Sequence, residues 1–180
     1  MELASQPFWQ TDDLSLFLLD ESDVSEAYVA WLNDAKTNRF LESRFVQHSL
    51  QSTREFVRAA RKSPDTLMLG MRSPGAGGQH VGNIKLGPID MRHGLGEIGL
   101  LIGAPSAWGR GVGRTSISIM CDIAARQLSL RKLTAGCYAS NIGSLKAFAA
   151  AGFSLEGRRE RHFLLDSRPE DLVLMAKWLQ

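Results

Sequence analysis

Three glycines fall on alternate positions in "PSAWGRGVGRTS", at Gly109, Gly111 and Gly113, with Arg110 and Arg114 between and after them. An apolar, strand-like run, "GEIGLLIG", precedes this stretch, and a helix-like run follows it. The first N–H groups of a helix have no partner inside the helix, and the helix dipole places partial positive charge there. Glycines let several of those groups converge on one small volume and approach a ligand closely. The chemistry this predicts is capture of an anion, most naturally phosphate, with Arg110 and Arg114 adding positive charge at the rim. Two familiar phosphate loops do not match. A P-loop needs glycine at 108 and lysine at 114, where the chain has Trp108 and Arg114. A dinucleotide fingerprint starting at Gly109 needs Gly or Ala at 114 and a βαβ unit around it.

The elements that must position this turn can be read from hydrophobic periodicity. "LSLFLL" (Leu14–Leu19) predicts a first strand. A helix follows with Val24, Ala27, Tyr28, Trp31 and Leu32 on one face, and Asp23 with Glu26 offers a capping box. A second helix starts near Ser49, with Leu50, Thr53, Val57 and Ala60 on one side. "TLMLGM" and "HVGNIKLG" predict two strands joined by the glycine-rich loop "RSPGAGGQ", and "GEIGLLIG" the next. After the glycine turn, Ile117, Met120, Cys121, Ala124 and Leu128 mark a helix. "KLTAGCYA" predicts a strand. "NIGSLKAFAAAGF" predicts a helix capped at Asn141 and stopped at Gly152, and "FSLEGR" and "EDLVLMAKW" two closing strands. Three strands in succession without helices between them predict a mixed α+β domain.

Composition narrows the function classes. A chain of 180 residues, 44% hydrophobic and 22% charged, suits one globular domain, taken as residues 1–180. A net charge of +2 gives no argument for nucleic acid. No apolar run approaches a membrane span, and the start "MELASQPFWQTDD" lacks the basic and apolar regions of a leader. Cys121 and Cys137 sit among apolar neighbours and read as buried free thiols of a cytoplasmic protein. His48, His80, His93 and His162 show no metal-ligand spacing, so no metal is expected.

"WGRGVGRTSI" resembles the acetyl-CoA pyrophosphate loop of the GNAT N-acetyltransferases, Q/R-x-x-G-x-G/A, with Gly111 and Gly113 in the two small positions. Trp108 replaces the usual Gln or Arg, a replacement frequent in the RimJ/RimL-like branch. "NIGSLKAFAAAGFSLEGR" is similar to a later segment of the same family, with Asn141, Ser144, Gly152, Phe153, Glu156 and Gly157 in place. "EIGLLIG" matches the strand that splays to admit the pantetheine arm. The resemblance runs from Leu14 to Trp178 in element order. It implies the GNAT fold, a mixed and mostly antiparallel sheet of about seven strands flanked by helices, and direct acetyl transfer from acetyl-CoA to a primary amine.

The resemblance also implies roles. Trp108, Gly109, Arg110, Gly111, Val112, Gly113, Arg114 and Thr115 would hold the cofactor's pyrophosphate. Backbone N–H groups around Leu101 and Ile102 would polarise the thioester carbonyl and stabilise the developing oxyanion. Asn141 would bond the pantetheine, cap its helix, or do both. The incoming ammonium must lose a proton, and Glu97 or His162 would take it, directly or through water. Many GNATs place a tyrosine acid seven residues after the motif asparagine. Phe148 stands there, and Ser144 is a substitute donor or a contact to the cofactor. Cys137 has no His or Asp beside it in sequence and reads as a packed strand thiol.

The acceptor is read from "WLNDAKTNRFLESRF", which resembles the corresponding helix region of RimJ/RimL-type enzymes and of amino-sugar N-acetyltransferases. Arg39, Glu42 and Arg44 are candidate acceptor contacts or solvated surface charges. Arg158, Arg159 and Arg161 suit an anionic acceptor or a charge-protected strand edge. Three readings stay open: acetylation of an amino-sugar or other small amine, acetylation of a protein or peptide N-terminus, and a non-catalytic acyl-CoA-binding module. No nucleic-acid or membrane partner is expected, and a homodimer stays open.

Overall fold

Alternating apolar residues in the strands divide the molecule into two layers on either side of one sheet. The computed structural model describes residues 9–179. Eight strands run β1 (Trp9–Gln10), β2 (Ser15–Leu18), β3 (Leu67–Ser73), β4 (Gln79–Asp90), β5 (Leu95–Ile102), β6 (Lys132–Tyr138), β7 (Ser154–Leu165) and β8 (Arg168–Trp178). The helices are α1 (Glu26–Asn33), α2 (Leu50–Lys62), α3 (Val112–Arg126) and α4 (Ile142–Ala150). The sheet order is β1-β2-β3-β4-β5-β6-β8-β7, with β5 and β6 as the parallel pair and antiparallel pairing elsewhere. This is the mixed, mostly antiparallel α+β arrangement expected, with the two-residue β1 added at one edge.

One face of the sheet carries the larger core. Leu16, Leu69, Ile84, Ile98 and Leu133 pack there against Ile117, Met120 and Ile123 of α3 and Phe148 of α4. The other face carries a smaller core, in which Val24, Tyr28, Val29 and Leu32 meet Val57 of α2 with Phe17, Met68 and Leu101 of the sheet packed against them. The period-2 alternation of β5 is therefore split between two environments.

Local chemistry explains most boundaries. α2 begins at the Ser49 cap and buries Thr53, Val57 and Ala60, the stripe predicted from spacing. The start of α1 differs from expectation. Ser25 caps it through Tyr28 N–H, while the Asp23 carboxylate takes the Asp20 N–H in a preceding 3-10 turn, Glu21–Asp23. Asp20 competes for Asp23 locally, so the capping box forms one turn earlier. The β7–β8 hairpin is also longer than predicted. "RRERHFLL" carries no apolar alternation that would extend the predicted strand, because β7 is an edge strand whose residues are mostly exposed on both faces.

Candidate active site

Pairing between β5 and β6 covers Leu95–Lys132, Gly96–Leu133 and Glu97–Thr134 and then stops, although both strands continue. Beyond Glu97 the strands part, and a cleft of about 640 Å³ opens there. Its walls are Leu100, Leu101 and Ile102 of β5, the turn Trp108–Arg114 apart from Arg110, one face of α4, and a strap after α1 comprising residues 34–46.

The glycine turn is built for an external partner. Gly109 and Gly111 adopt left-handed φ values of 72° and 79°, which a residue with a Cβ reaches only at a cost. Gly111 is the N-cap of α3 and supplies no side-chain hydrogen bond. By contrast Ser25, Ser49 and Asn141 accept from the N–H groups of α1, α2 and α4. The N–H groups at the start of α3 are thus left for a ligand in the cleft. Gly113 has an ordinary φ, and a Cβ there would lie 3.5 Å from Leu100 Cδ1 and Ala147 Cβ, so β5, α3 and α4 meet at this residue.

The ladder decides which backbone groups face the gap. Gly103 N–H bonds Val81 O on β4, and the Gly96 carbonyl turns to Thr134 Oγ1 on β6. Adjacent residues of a strand alternate, so Leu101 turns its N–H toward β4 while Leu100 and Ile102 turn theirs into the gap. Of the pair expected around a thioester, Ile102 is placed to donate and Leu100 joins it in place of Leu101. Trp108 is fixed by its own indole, whose Nε1–H donates to Ile102 O at 2.8 Å.

Other predicted residues divide clearly. Gly109, Gly111, Val112, Gly113 and Arg114 line the cleft, as do Asn141 and Ser144. Arg110 turns away; its guanidinium lies beside the 3-10 turn Pro74–Ala76, where a Cβ on Gly75 would come within 3.3 Å of it. Thr115 sits one residue beyond the lining, with its N–H bonded to Gly111 O. Asn141 Oδ1 accepts from Ser144 N–H at 3.2 Å, so the helix cap is made. Ser144 Oγ lies 3.3 Å from Cys137 Sγ. Burial raises the Cys137 thiol pKa, an effect the Ser144 bond partly offsets. Phe148, at the family's tyrosine position, is buried against Phe153.

Glu97 is exposed and faces away from α3, beside Gly99, above which the space is open. His162 is not brought to it. The histidine lies in the irregular part of β7, between Arg159 and Phe163, three strand spacings and therefore about 14 Å or more from β5. Two of the arginines of that strand also diverge. Arg158 pairs with Asp171, while Arg159, the next residue along, points to the opposite face.

Several residues in and around the cleft were not singled out from the sequence. Lys36 and Lys146 line the cleft, and Lys36 Nζ lies 5.3 Å from the Trp108 ring centroid. Lys146 was legible in the stripe Gly143, Lys146, Ala147 and Ala150, an i, i+3, i+4, i+7 pattern along α4. Tyr138 had no local signal. Its ring stacks on Phe163 at 4.5 Å and meets Phe40 at 5.7 Å. Its hydroxyl donates to Glu42 and accepts from Arg44 Nη1 at 2.8 Å. Burial and the Glu42 bond raise its pKa, with Arg44 opposing. Among the described residues, no three His, Cys, Asp or Glu side chains cluster as metal ligands, and no helix is long and apolar enough to cross a membrane.

Comparison with known proteins agrees with this architecture. The acetyltransferase (GNAT) domain family matches residues 13–154. No curated protein matches the chain in sequence. The crystal structure of spermidine N-acetyltransferase from Vibrio cholerae in complex with CoA and spermine is similar, with a TM-score of 0.83 at 20% identity over 94% of this chain and 97% of that one. The microcin C7 self-immunity acetyltransferase MccE, in complex with acetyl-CoA and AMP, has a TM-score of 0.80 at 17% identity, over 93% of each chain.

Proposed function

The chain belongs to the GNAT acetyltransferase family, and from that premise we propose that it transfers acetyl from acetyl-CoA directly to the primary amine of an amino-sugar or another small amine. One observation carries the reading: β5 and β6 pair over three residues and then part, and the gap runs into the uncapped start of α3. Pyrophosphate on the N–H groups from Val112 to Arg114, with Arg114, Lys36 and Lys146 around it, leaves the pantetheine arm to run into the gap. There the Leu100 and Ile102 N–H groups receive the thioester carbonyl and its oxyanion. Trp108, fixed on Ile102 in the position of the family's Gln or Arg, favours the RimJ/RimL-like branch.

The amine arrives from the opposite face, where Glu97 and Gly99 are open. Glu97 lies three residues before Leu100, about 10 Å along the strand, too far for direct proton abstraction near that N–H. It therefore takes the ammonium proton through water. The neutral amine attacks the carbonyl, the C–N bond forms and the C–S bond breaks, and the proton shed by the attacking nitrogen passes to the departing thiolate, giving the free thiol of CoA beside Ser144, a residue of the cleft wall.

Thiol release from acetyl-CoA, measured across a panel of amino-sugars, nucleotide-linked amino-sugars, polyamines and peptide N-termini, tests the reading. Fastest turnover with a sugar or another small amine is expected. A peptide as the best substrate would move the acceptor to protein N-termini, and no release with any amine would remove the proposal.

A further inference from the structure

A second cavity, of about 540 Å³, opens on the other side of the strap. Lys36, Thr37, Phe40 and Leu41 of the strap face the cleft, while Asn38, Arg39, Arg44 and Phe45 face this cavity. Its opposite wall is the β7–β8 turn, with Leu164, Asp166 and Ser167. Two ties close the walls over a long stretch of chain: the Arg39–Asp166 ion pair at 3.0 Å, and Arg44 Nη2–H donating to Leu164 O at 2.9 Å. The turn itself holds Asp166 and Ser167 in the left-handed region, at φ 51° and 63°. A single strap is therefore the wall of two cavities of similar size.

We propose that this second cavity binds a nucleoside phosphate or a similar small molecule carrying a phosphate, with Arg39 as its anion partner. The two guanidiniums have different duties. Arg44 is only 13% exposed in its side chain, is paired with Glu42 at 3.4 Å, and already donates to Leu41 O, the Tyr138 hydroxyl and Leu164 O. Its charge is met by Glu42, and its hydrogen bonds hold the strap. Arg39 is 51% exposed and meets one carboxylate that is itself 71% exposed. An ion pair between such groups contributes little and exchanges readily. A phosphate offers the same guanidinium two parallel acceptors at once. Glu42 meets Arg44 from outside the lining, so Arg39, with only the exposed Asp166 as partner, is the guanidinium that an incoming anion can take over. Phe45, 69% exposed, presents a flat apolar surface with the Arg44 guanidinium 4.1 Å from its ring centroid, and suits a base or sugar beside the phosphate. A volume of about 540 Å³ accommodates a ligand of that size.

The phosphate has two sources. It can belong to the acceptor, whose amine then reaches past Arg44 toward Tyr138 and the face of Glu97; this source rests on the acetyl-transfer reading above. It can also belong to a separate nucleotide that acts on the cleft through the strap. Calorimetry with uridine monophosphate, on protein whose cleft is filled by saturating CoA, tests the cavity without any turnover. The nucleotide is expected to bind, and uridine to bind at least about tenfold more weakly. Arg39→Gln is expected to weaken the nucleotide by about tenfold or more, and Ser167→Asp, which adds a negative charge from the other wall, to do the same. CoA affinity, unchanged in both, shows that they fold. No binding of uridine monophosphate, or equal binding by the parent and by either folded variant, overturns the proposal. Turnover then distinguishes the sources. A preference for glucosamine 6-phosphate over glucosamine that disappears in Arg39→Gln assigns the phosphate to the acceptor. A change in rate on adding uridine monophosphate, with no such preference, assigns it to a separate nucleotide. Absence of turnover with every amine would defeat the acetyl-transfer reading and leave the titration standing.

Discussion

The two faces of β5 behave as two different materials. On one, Ile98, Leu100 and Ile102 run into the main core beneath α3 and α4. On the other, Glu97 and Gly99 stand open, and only Leu101 joins the smaller core with α1 and α2. The first face is shaped by backbone: glycine φ values, a helix start with no cap of its own, and a ladder that stops after three pairs. The second is shaped by side chains that travel far in sequence, such as Arg44 on Tyr138 and Leu164. A cofactor grip made of peptide groups can be kept while the side chains of the acceptor face vary. On the proposed function, the strand is therefore a partition between binding acetyl-CoA and choosing and deprotonating the amine.

The sharpest test of that partition is Glu97→Gln. Removal of a general base is expected to lower turnover at saturating amine by about 10²–10⁴-fold. Acetyl-CoA affinity should stay near the parent's, because the glycine turn is untouched. Action through water puts the effect toward the lower end of that range. A rate close to the parent's removes Glu97 from the mechanism, and a parallel loss of CoA affinity breaks the separation of the faces.

The reciprocal change is Gly113→Glu. Hydrogen bonds to a charged group contribute about 1.5–3 kcal/mol each, so losing two weakens CoA by about a hundredfold or more. The fold should survive, because Gly113 does not have a left-handed φ and a Cβ there makes only ordinary contacts. Calorimetry on the folded variant reads the outcome, and unchanged CoA binding would sink the pyrophosphate site. A smaller effect is expected at the start of α4. There Asn141 caps the helix through Ser144 N–H, so Asn141→Ala should cost about 1 kcal/mol of stability in a denaturant titration. A large loss of CoA affinity without loss of stability would instead make Asn141 chiefly a ligand contact.

What could be read in advance follows the same partition. The Gly111 and Gly113 spacing, the strand before it, and the Asn141 and Ser144 segment are local patterns, and the structure gathers them around one cleft. The order of elements was legible because each apolar stripe faces one of two cores. The capping of α1 was misread because two overlapping carboxylate motifs, Asp20 with Asp23 and Asp23 with Glu26, compete within seven residues, and Ser25 then caps the helix itself. The far half of β7 was missed because an edge strand need not alternate. Tyr138 was missed for another reason. Its partners Glu42 and Arg44 lie more than 90 residues away in sequence (separations 96 and 94), and nothing in "AGCYAS" announces them. His162 stood as the second candidate base after Glu97 until the strand order put β6 and β8 between them.

The smallest effect is expected at Cys137, which lies on the cofactor face yet is part of the core. Nucleophilic catalysis would need the thiolate, and burial pushes this thiol's pKa up, away from that form. It would also need an adjacent base, and the one side-chain hydrogen-bond partner described for Cys137 is Ser144. Ser144 keeps its place without the thiol, since its backbone N–H is held by Asn141 and its Cα by the first turn of α4. Cys137→Ala should therefore leave turnover near the parent's while costing about 1 kcal/mol of stability from the lost packing. The mass of the parent after incubation with acetyl-CoA alone should show no acetyl adduct. An adduct on the parent that disappears in Cys137→Ala, together with a fall in rate of about a hundredfold or more, would replace direct transfer by a covalent route. It would also place the chemistry on the core face of β6, and the partition between the two faces of the sheet would fail at its central strand pair.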